Sequence, residues 1–67
     1  MPDELNERQN KAVEDEKFIT DEVAELKEFM HGGDYADLET IEQGLLIAQL
    51  MVMQNLLDLL RRRIETF

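Results

Sequence analysis

Apolar residues in the C-terminal half of the chain recur at alternating intervals of four and three. The set Leu46, Leu50, Met53, Leu57, Leu60, Ile64 and Phe67 runs without a break, which is the pattern of a heptad seam along one face of a helix. A second set, Leu38, Ile41, Leu45, Ala48, Val52, Leu56 and Leu59, keeps nearly the same spacing on a neighbouring face. One partner helix covers one stripe, so a helix carrying two needs at least two partners. The N-terminal half has the same rhythm in Leu5, Gln9, Ala12, Glu16, Ile19, Val23, Leu26 and Met30, with two polar members. Phe18 and Phe29 fall off that seam and give this half a weaker second apolar face.

The punctuation predicts where these helices end. Asp3 is placed to cap the first, with Glu4 and Glu7 in the first turn, where carboxylates interact well with the helix dipole. His31-Gly32-Gly33 should stop it, because glycine readily takes the left-handed conformation that closes a helix. Asp34 or Asp37 then caps the second helix, with Tyr35 in the connection. The expectation is one domain over residues 1–67, with helix one at about 4–31, a turn at 32–36 and helix two at about 37–66. Each arm would be about 40 Å long at about 1.5 Å per residue. So short a connection makes the arms antiparallel neighbours. The predicted fold is all-α: an antiparallel two-helix hairpin assembling into a homo-oligomeric helical bundle. Leu46, Leu50, Met53, Leu57, Leu60, Ile64 and Phe67 form the expected oligomer interface.

Size strengthens the case for assembly. Sixty-seven residues lie near the lower limit at which one core supports a fold, and small chains compensate with disulfides, metals or self-association. The chain has no cysteine, which excludes disulfides and thiolate metal sites and suits a reducing cytosol. Sixteen acids against seven bases give a net charge of −9, which argues against direct nucleic-acid binding. With a single Pro, three Gly and no Ser, there is no long flexible linker. The polar, acidic start MPDELNERQN is unlike a secretory signal. The most apolar run, Gly44 to Met53, is too short to span a bilayer. A cytoplasmic protein with no membrane partner is therefore expected.

Antiparallel arms would set Arg61-Arg62-Arg63 beside Arg8, Lys11 and Lys17, and so gather six of the seven cations at the open end. The loop end would hold Asp21, Glu22, Glu25, Glu28, Asp34, Asp37, Glu39 and Glu42 against Lys27. Guanidinium forks suit phosphate or carboxylate. Arginines at a helix C-terminus also simply offset its dipole and pair with nearby Glu4, Glu7 or Glu65. Gln9 and Glu16 should face the region of Gln54 to Leu59, with Asn55 a partner for Glu16. They are either a polar layer that sets register or the lining of a ligand pocket between hairpins. Glu28 and His31 have the Glu-x-x-His spacing of di-iron helices, yet sit in a last turn, and the spacing arises readily by chance in so Glu-rich a chain. Tyr35, Phe18 and Phe29 are candidates for stacking on a base or for closing the core beside the loop. Met30, Met51 and Met53 fill a core or an adaptable surface. There is no nucleophile–base pair and no glycine-rich phosphate loop, so neither catalysis nor a cofactor is expected.

The series Arg8-Gln9, Val13, Glu16-Lys17, Leu26, Phe29, Tyr35, Leu38, Glu42, Leu45-Leu46, Gln49, Met53, Leu60, Arg63-Ile64 and Phe67 resembles a family of short helical-hairpin proteins of tailed phages, related to a small protein of crAss-like phages. The chain departs from that pattern between Met53 and Leu60, where it has Gln-Asn-Leu-Leu-Asp-Leu. A looser, architectural similarity links it to the oligomeric sponges by which phages sequester nucleotide messengers of bacterial immunity. These resemblances imply a phage anti-defence protein in the cytoplasm of an infected bacterium. It would bind a cyclic nucleotide or ADP-ribose-type signal between copies of itself without transforming it. Arg8, Lys17, Arg61, Arg62 and Arg63 would neutralise phosphate, and Gln9 and Glu16 would read base or ribose. The alternatives are an acidic module that inhibits a host protein by direct contact, and a purely structural oligomer.

Overall fold

A computed structural model of the chain describes residues 5–67. Among them the order is α1 (Glu7–Met30), a single-turn α2 (Gly33–Ala36) and α3 (Thr40–Glu65), with no strand. The two long helices are the arms of a hairpin.

The proposed Asp3 cap and Glu4 lie outside the described residues. The cap observed for α1 is Asn6, which closes a reciprocal capping box. Its Oδ1 accepts from the Gln9 backbone N–H at 2.8 Å, while Gln9 Oε1 accepts from the Asn6 N–H at 3.0 Å. Two otherwise unpaired donors are thereby satisfied. At the other end α1 closes on His31, whose N–H donates to the Glu28 carbonyl at 3.1 Å, while the Gly32 N–H donates to the Phe29 carbonyl at 3.0 Å. The expected left-handed glycine is not used, for no glycine has positive φ. Gly32 is extended, at φ −94° and ψ 169°, and starts α2 directly. Neither Asp34 nor Asp37 caps α3. Asp37 closes α2, and Glu39 precedes α3 without a side-chain cap.

The connection is held by its own side chains. Gln43 Nε2 donates to the Tyr35 carbonyl at 2.9 Å, and the Tyr35 hydroxyl donates to the Gln43 carbonyl at 3.4 Å. The Phe29 and Tyr35 rings meet edge to face with centroids 6.2 Å apart. The aromatic pair therefore closes the hairpin beside the loop, a favourable geometry for two rings.

The arms meet along one seam, and the seam on α3 is the first stripe. Leu57 and Leu60 are buried, Leu46, Leu50, Met53 and Ile64 are half-covered, and Phe67 is exposed at the end. From α1 they meet the buried Ala12 and Val23, with Ile19, Leu26 and Met30 half-covered. This corrects the expected interface. The residues assigned to contacts between copies already cover α1 within one chain. The open stripe is the second one, with Ile41 70% and Val52 66% exposed and Leu45, Leu56 and Leu59 also in solvent.

The molecule is a rod of 53 × 15 × 15 Å. Arms of 24 and 26 residues measure about 36–39 Å at about 1.5 Å per residue, so they are staggered rather than flush. The radius of gyration is 15.5 Å, against about 11 Å for a compact chain of this length. The accessible surface is 5435 Å², whereas a compact monomer of 7.9 kDa exposes about 4,400 Å². Roughly 1,000 Å² of surface beyond the compact expectation is left uncovered. A correction concerns α3 itself. By length and composition it is long and apolar enough to cross a membrane, with a window of mean hydropathy 1.3, so the Gly44–Met53 run alone understated its apolar extent.

Because the buried set is so small, each member weighs heavily. Leu60→Ala should cost about 2–4 kcal/mol and Asn6→Ala about 1 kcal/mol, measured by urea melts at fixed protein concentration with far-UV circular dichroism.

Candidate functional site

The stagger decides which polar side chains meet. Glu16 and Thr20 lie one turn apart on the inner edge of α1, and Arg61 reaches them from α3. Arg61 Nε donates to Glu16 Oε1 at 3.2 Å, and its Nη2 lies 3.5 Å from Thr20 Oγ1. Thr20 Oγ1 in turn hydrogen-bonds the Glu16 carbonyl at 2.8 Å and Glu16 Oε1 at 3.1 Å. Arg61, Glu16 and Thr20 thus form a closed polar clamp across the hairpin.

The partner of Glu16 is therefore Arg61, and Asn55 is exposed. The expected register was short by about two turns, because α2 lengthens the connection. Arg8 sits eight residues before Glu16, about 12 Å along α1 at about 1.5 Å per residue. The six cations consequently do not form one bare patch. Lys11 pairs with Asp15 at 2.8 Å, Arg61 with Glu16 at 3.2 Å and Arg62 with Asp58 at 3.1 Å. Asp15 holds the Lys11 ammonium above its usual pKa of 10.5, first by hydrogen bonding and then by charge. The stabilisation is complete below that value and is lost only as pH rises through the raised one, so it offers no switch near neutrality.

Of the remaining candidates, Gln9 is engaged in the α1 cap. Lys17 and Arg63 are exposed on their own helices, and Arg8 is exposed one residue into α1. Angular position separates the arginines on α3. At about 100° per residue, from 3.6 residues per turn, Arg61 points to α1, Arg63 continues the open stripe beyond Leu59, and Arg62 flanks it. His31 is turned back on its own helix, where Nδ1–H donates to the Lys27 carbonyl at 2.7 Å. That contact satisfies a terminal carbonyl. No group of three or more His, Cys, Asp or Glu among the described residues is placed to hold a metal.

Two features were missed in the residue pattern. One is Thr20, whose i, i+4 spacing from Glu16 is the available signal. The other is an open groove of about 360 Å³ at the loop end, lined by Phe29, Leu38, Glu42, Leu45 and Leu46. It offers apolar walls, an aromatic ring and one carboxylate. No sequence pattern marks it, because its walls come from both arms and the connection.

A family model described as Sequestin matches residues 13–66. The match includes both arms, the connection and the Glu16–Arg61 clamp, while Arg8, Gln9 and Phe67 lie outside it. No curated protein and no solved structure matches the chain.

The clamp yields a direct check on register. A double-mutant cycle with Glu16→Ala and Arg61→Ala should give a coupling of about 0.2–1 kcal/mol, the range of exposed ion pairs. A cycle on Glu16 and Asn55 should give none.

Proposed function

The chain belongs to the Sequestin family, and from that membership we propose that it is a phage anti-defence protein that sequesters a nucleotide-type signal of bacterial immunity. The family name points to binding or sequestering rather than to catalysis. The protein works by tight binding alone: free signal falls once sponge exceeds it. It acts as a homo-oligomer in the cytoplasm of an infected bacterium, with pockets between copies.

The observation that carries this reading is the family match across the hairpin, and the surface of the fold agrees with it. A rod with roughly 1,000 Å² of surface beyond the compact expectation has room for shared pockets. Exposed cations at Lys17, Arg62 and Arg63 supply charge for phosphate groups, since guanidinium forks bind phosphate through paired hydrogen bonds. Arg61 and Glu16 hold the arms in register, Gln9 caps α1, and Arg8 stands further out. In this reading Arg62 and Arg63 take the main share of the anion contacts, and Arg61 positions the helix that bears them.

A second reading rests on the net charge of −9, whose carboxylates crowd the outer face of α1 at Glu14, Asp21, Glu25 and Glu28. Such a face would suit a basic surface of a host protein, which it would block by direct contact.

The two readings separate in one experiment. The protein is incubated with cyclic dinucleotides, cyclic trinucleotides and ADP-ribose derivatives, washed, heat-denatured, and the released compounds identified. Recovery of an unchanged nucleotide is expected, with retention falling about tenfold or more in Arg63→Ala, the loss of one charge-assisted contact. If nothing is retained and a host protein co-purifies instead, the sponge reading is wrong.

A further inference from the structure

The loop-end groove lies apart from the clamp and the arginines and takes no part in either. Its walls are Phe29 from α1, Leu38 from the connection, and Glu42, Leu45 and Leu46 from the first turns of α3, around about 360 Å³. That volume falls at the lower end of the about 300–1,000 Å³ of ligand pockets. It holds a ring or a short chain and is too small for a dinucleotide.

The walls are ordered before any ligand arrives. Phe29 packs edge to face on Tyr35, with centroids 6.2 Å apart. Tyr35 is tied in turn to α3: its hydroxyl donates to the Gln43 carbonyl, and its own carbonyl accepts from Gln43 Nε2 at 2.9 Å. Gln43 is the neighbour of Glu42, so the contacts that hold the ring also fix the helical turn that bears the carboxylate. A wall held in this way loses little freedom on binding.

The groove contains one charge, and the hairpin leaves it uncompensated. The ion pairs among the described residues use Asp15, Glu16 and Asp58, so Glu42 has no cationic partner there. Glu25 stands one turn before Phe29 on the same face of α1, and Asp34, Asp37 and Glu39 lie in or beside the connection. Lys27, two residues from Phe29, is turned to another side of α1. Arg62 stands about 30 Å farther along α3, at about 1.5 Å per residue, which is several Debye lengths at physiological salt. The groove therefore attracts cations and repels phosphate, the reverse of the arginine end.

We propose that the loop-end groove is a binding site, complete within one copy, for a small organic cation: an ammonium or guanidinium on a short apolar or aromatic stem. Glu42 accepts hydrogen bonds from the cation, while Leu38, Leu45 and Leu46 take the stem out of water. Phe29 adds the attraction of an aromatic ring for positive charge. Charge complementarity selects this occupant. An uncharged ligand leaves the carboxylate unused and partly desolvated, and an anion is repelled by Glu42 and the acids around it. The site does not rest on the nucleotide reading, because it lies at the other end of α3 from the arginines and takes a ligand of opposite charge.

Three probes of one shape test it: phenethylamine, 2-phenylethanol and 3-phenylpropionate, which are a cation, a neutral molecule and an anion at neutral pH. Each is titrated into isotope-labelled protein and followed by backbone amide shifts. Phenethylamine should bind saturably in the low millimolar range, moving the amides of Phe29, Glu42 and Leu45 and leaving those of Arg62 and Arg63 in place. The alcohol should bind about threefold more weakly, the scale of one exposed charge contact, and the anion should not bind. Glu42→Gln should bring phenethylamine to the level of the alcohol without changing the alcohol's own affinity. Glu14→Gln, on the outer face of α1, should change neither. Leu45→Gln, at a position 65% exposed, should weaken both probes while helicity persists. Equal affinity of the wild type for amine and alcohol would remove the role of the charge and overturn the site. A loss in Glu14→Gln as large as in Glu42→Gln would overturn it too, by reducing the effect to general attraction by an acidic protein. No saturable binding of phenethylamine by the wild type would do the same, and is the result if a second copy or a lipid surface covers the groove. Nucleotide retention is read separately at the arginine end, so the failure of one site is distinct from the failure of the other.

Discussion

A helix has one side toward a single neighbour, and α3 has two apolar sides. Its seam through Leu57 and Leu60 is occupied by α1, and the side chains buried among the described residues, Ala12, Val23, Leu57 and Leu60, all lie on the two arms. The stripe through Ile41 and Val52 is left in water. Apolar surface of this extent is seldom tolerated on a monomer, because its hydration is unfavourable in proportion to area. The shape of the molecule expresses the same shortage: a two-helix rod encloses too little volume for four apolar faces.

Stagger is the second determinant, and it follows from the connection. A bare turn would have let the arms run nearly flush, with the arginines of α3 beside Arg8 and Lys11. The extra turn of α2 and the Tyr35–Gln43 hydrogen bonds shift α3 along α1. Arg61 then meets Glu16 and Thr20, which fixes the slide of one helix on the other with a polar contact that apolar seams of similar rhythm cannot provide. Exposed ion pairs add little stability, so the contribution of this clamp lies in register. It also divides the arginine run by role. One guanidinium is committed to the fold, and the next two are carried on or beside the open stripe.

The chain belongs to the Sequestin family, whose name points to binding or sequestering. A sequestering protein needs affinity and copy number, and neither requires a perturbed titratable group. Among the described residues the single resolved pKa shift, at exposed Lys11, is structural.

Residue order by itself determined the two arms, their apolar seams and the need for cover beyond one partner, because a period near 3.5 residues can be read without coordinates. It also marked Ala12, Val23, Leu57 and Leu60 as seam members, and these are the four buried side chains among the described residues. It could not choose which stripe of α3 lies inside, since both have nearly the same spacing and the choice depends on how the connection aims the second arm. Nor could it pair Glu16 with Arg61, 45 residues apart, or form the groove from Phe29, Leu38, Glu42, Leu45 and Leu46. Those contacts depend on a shift of a few residues between arms, and that shift is set by three-dimensional turn geometry rather than by any local pattern.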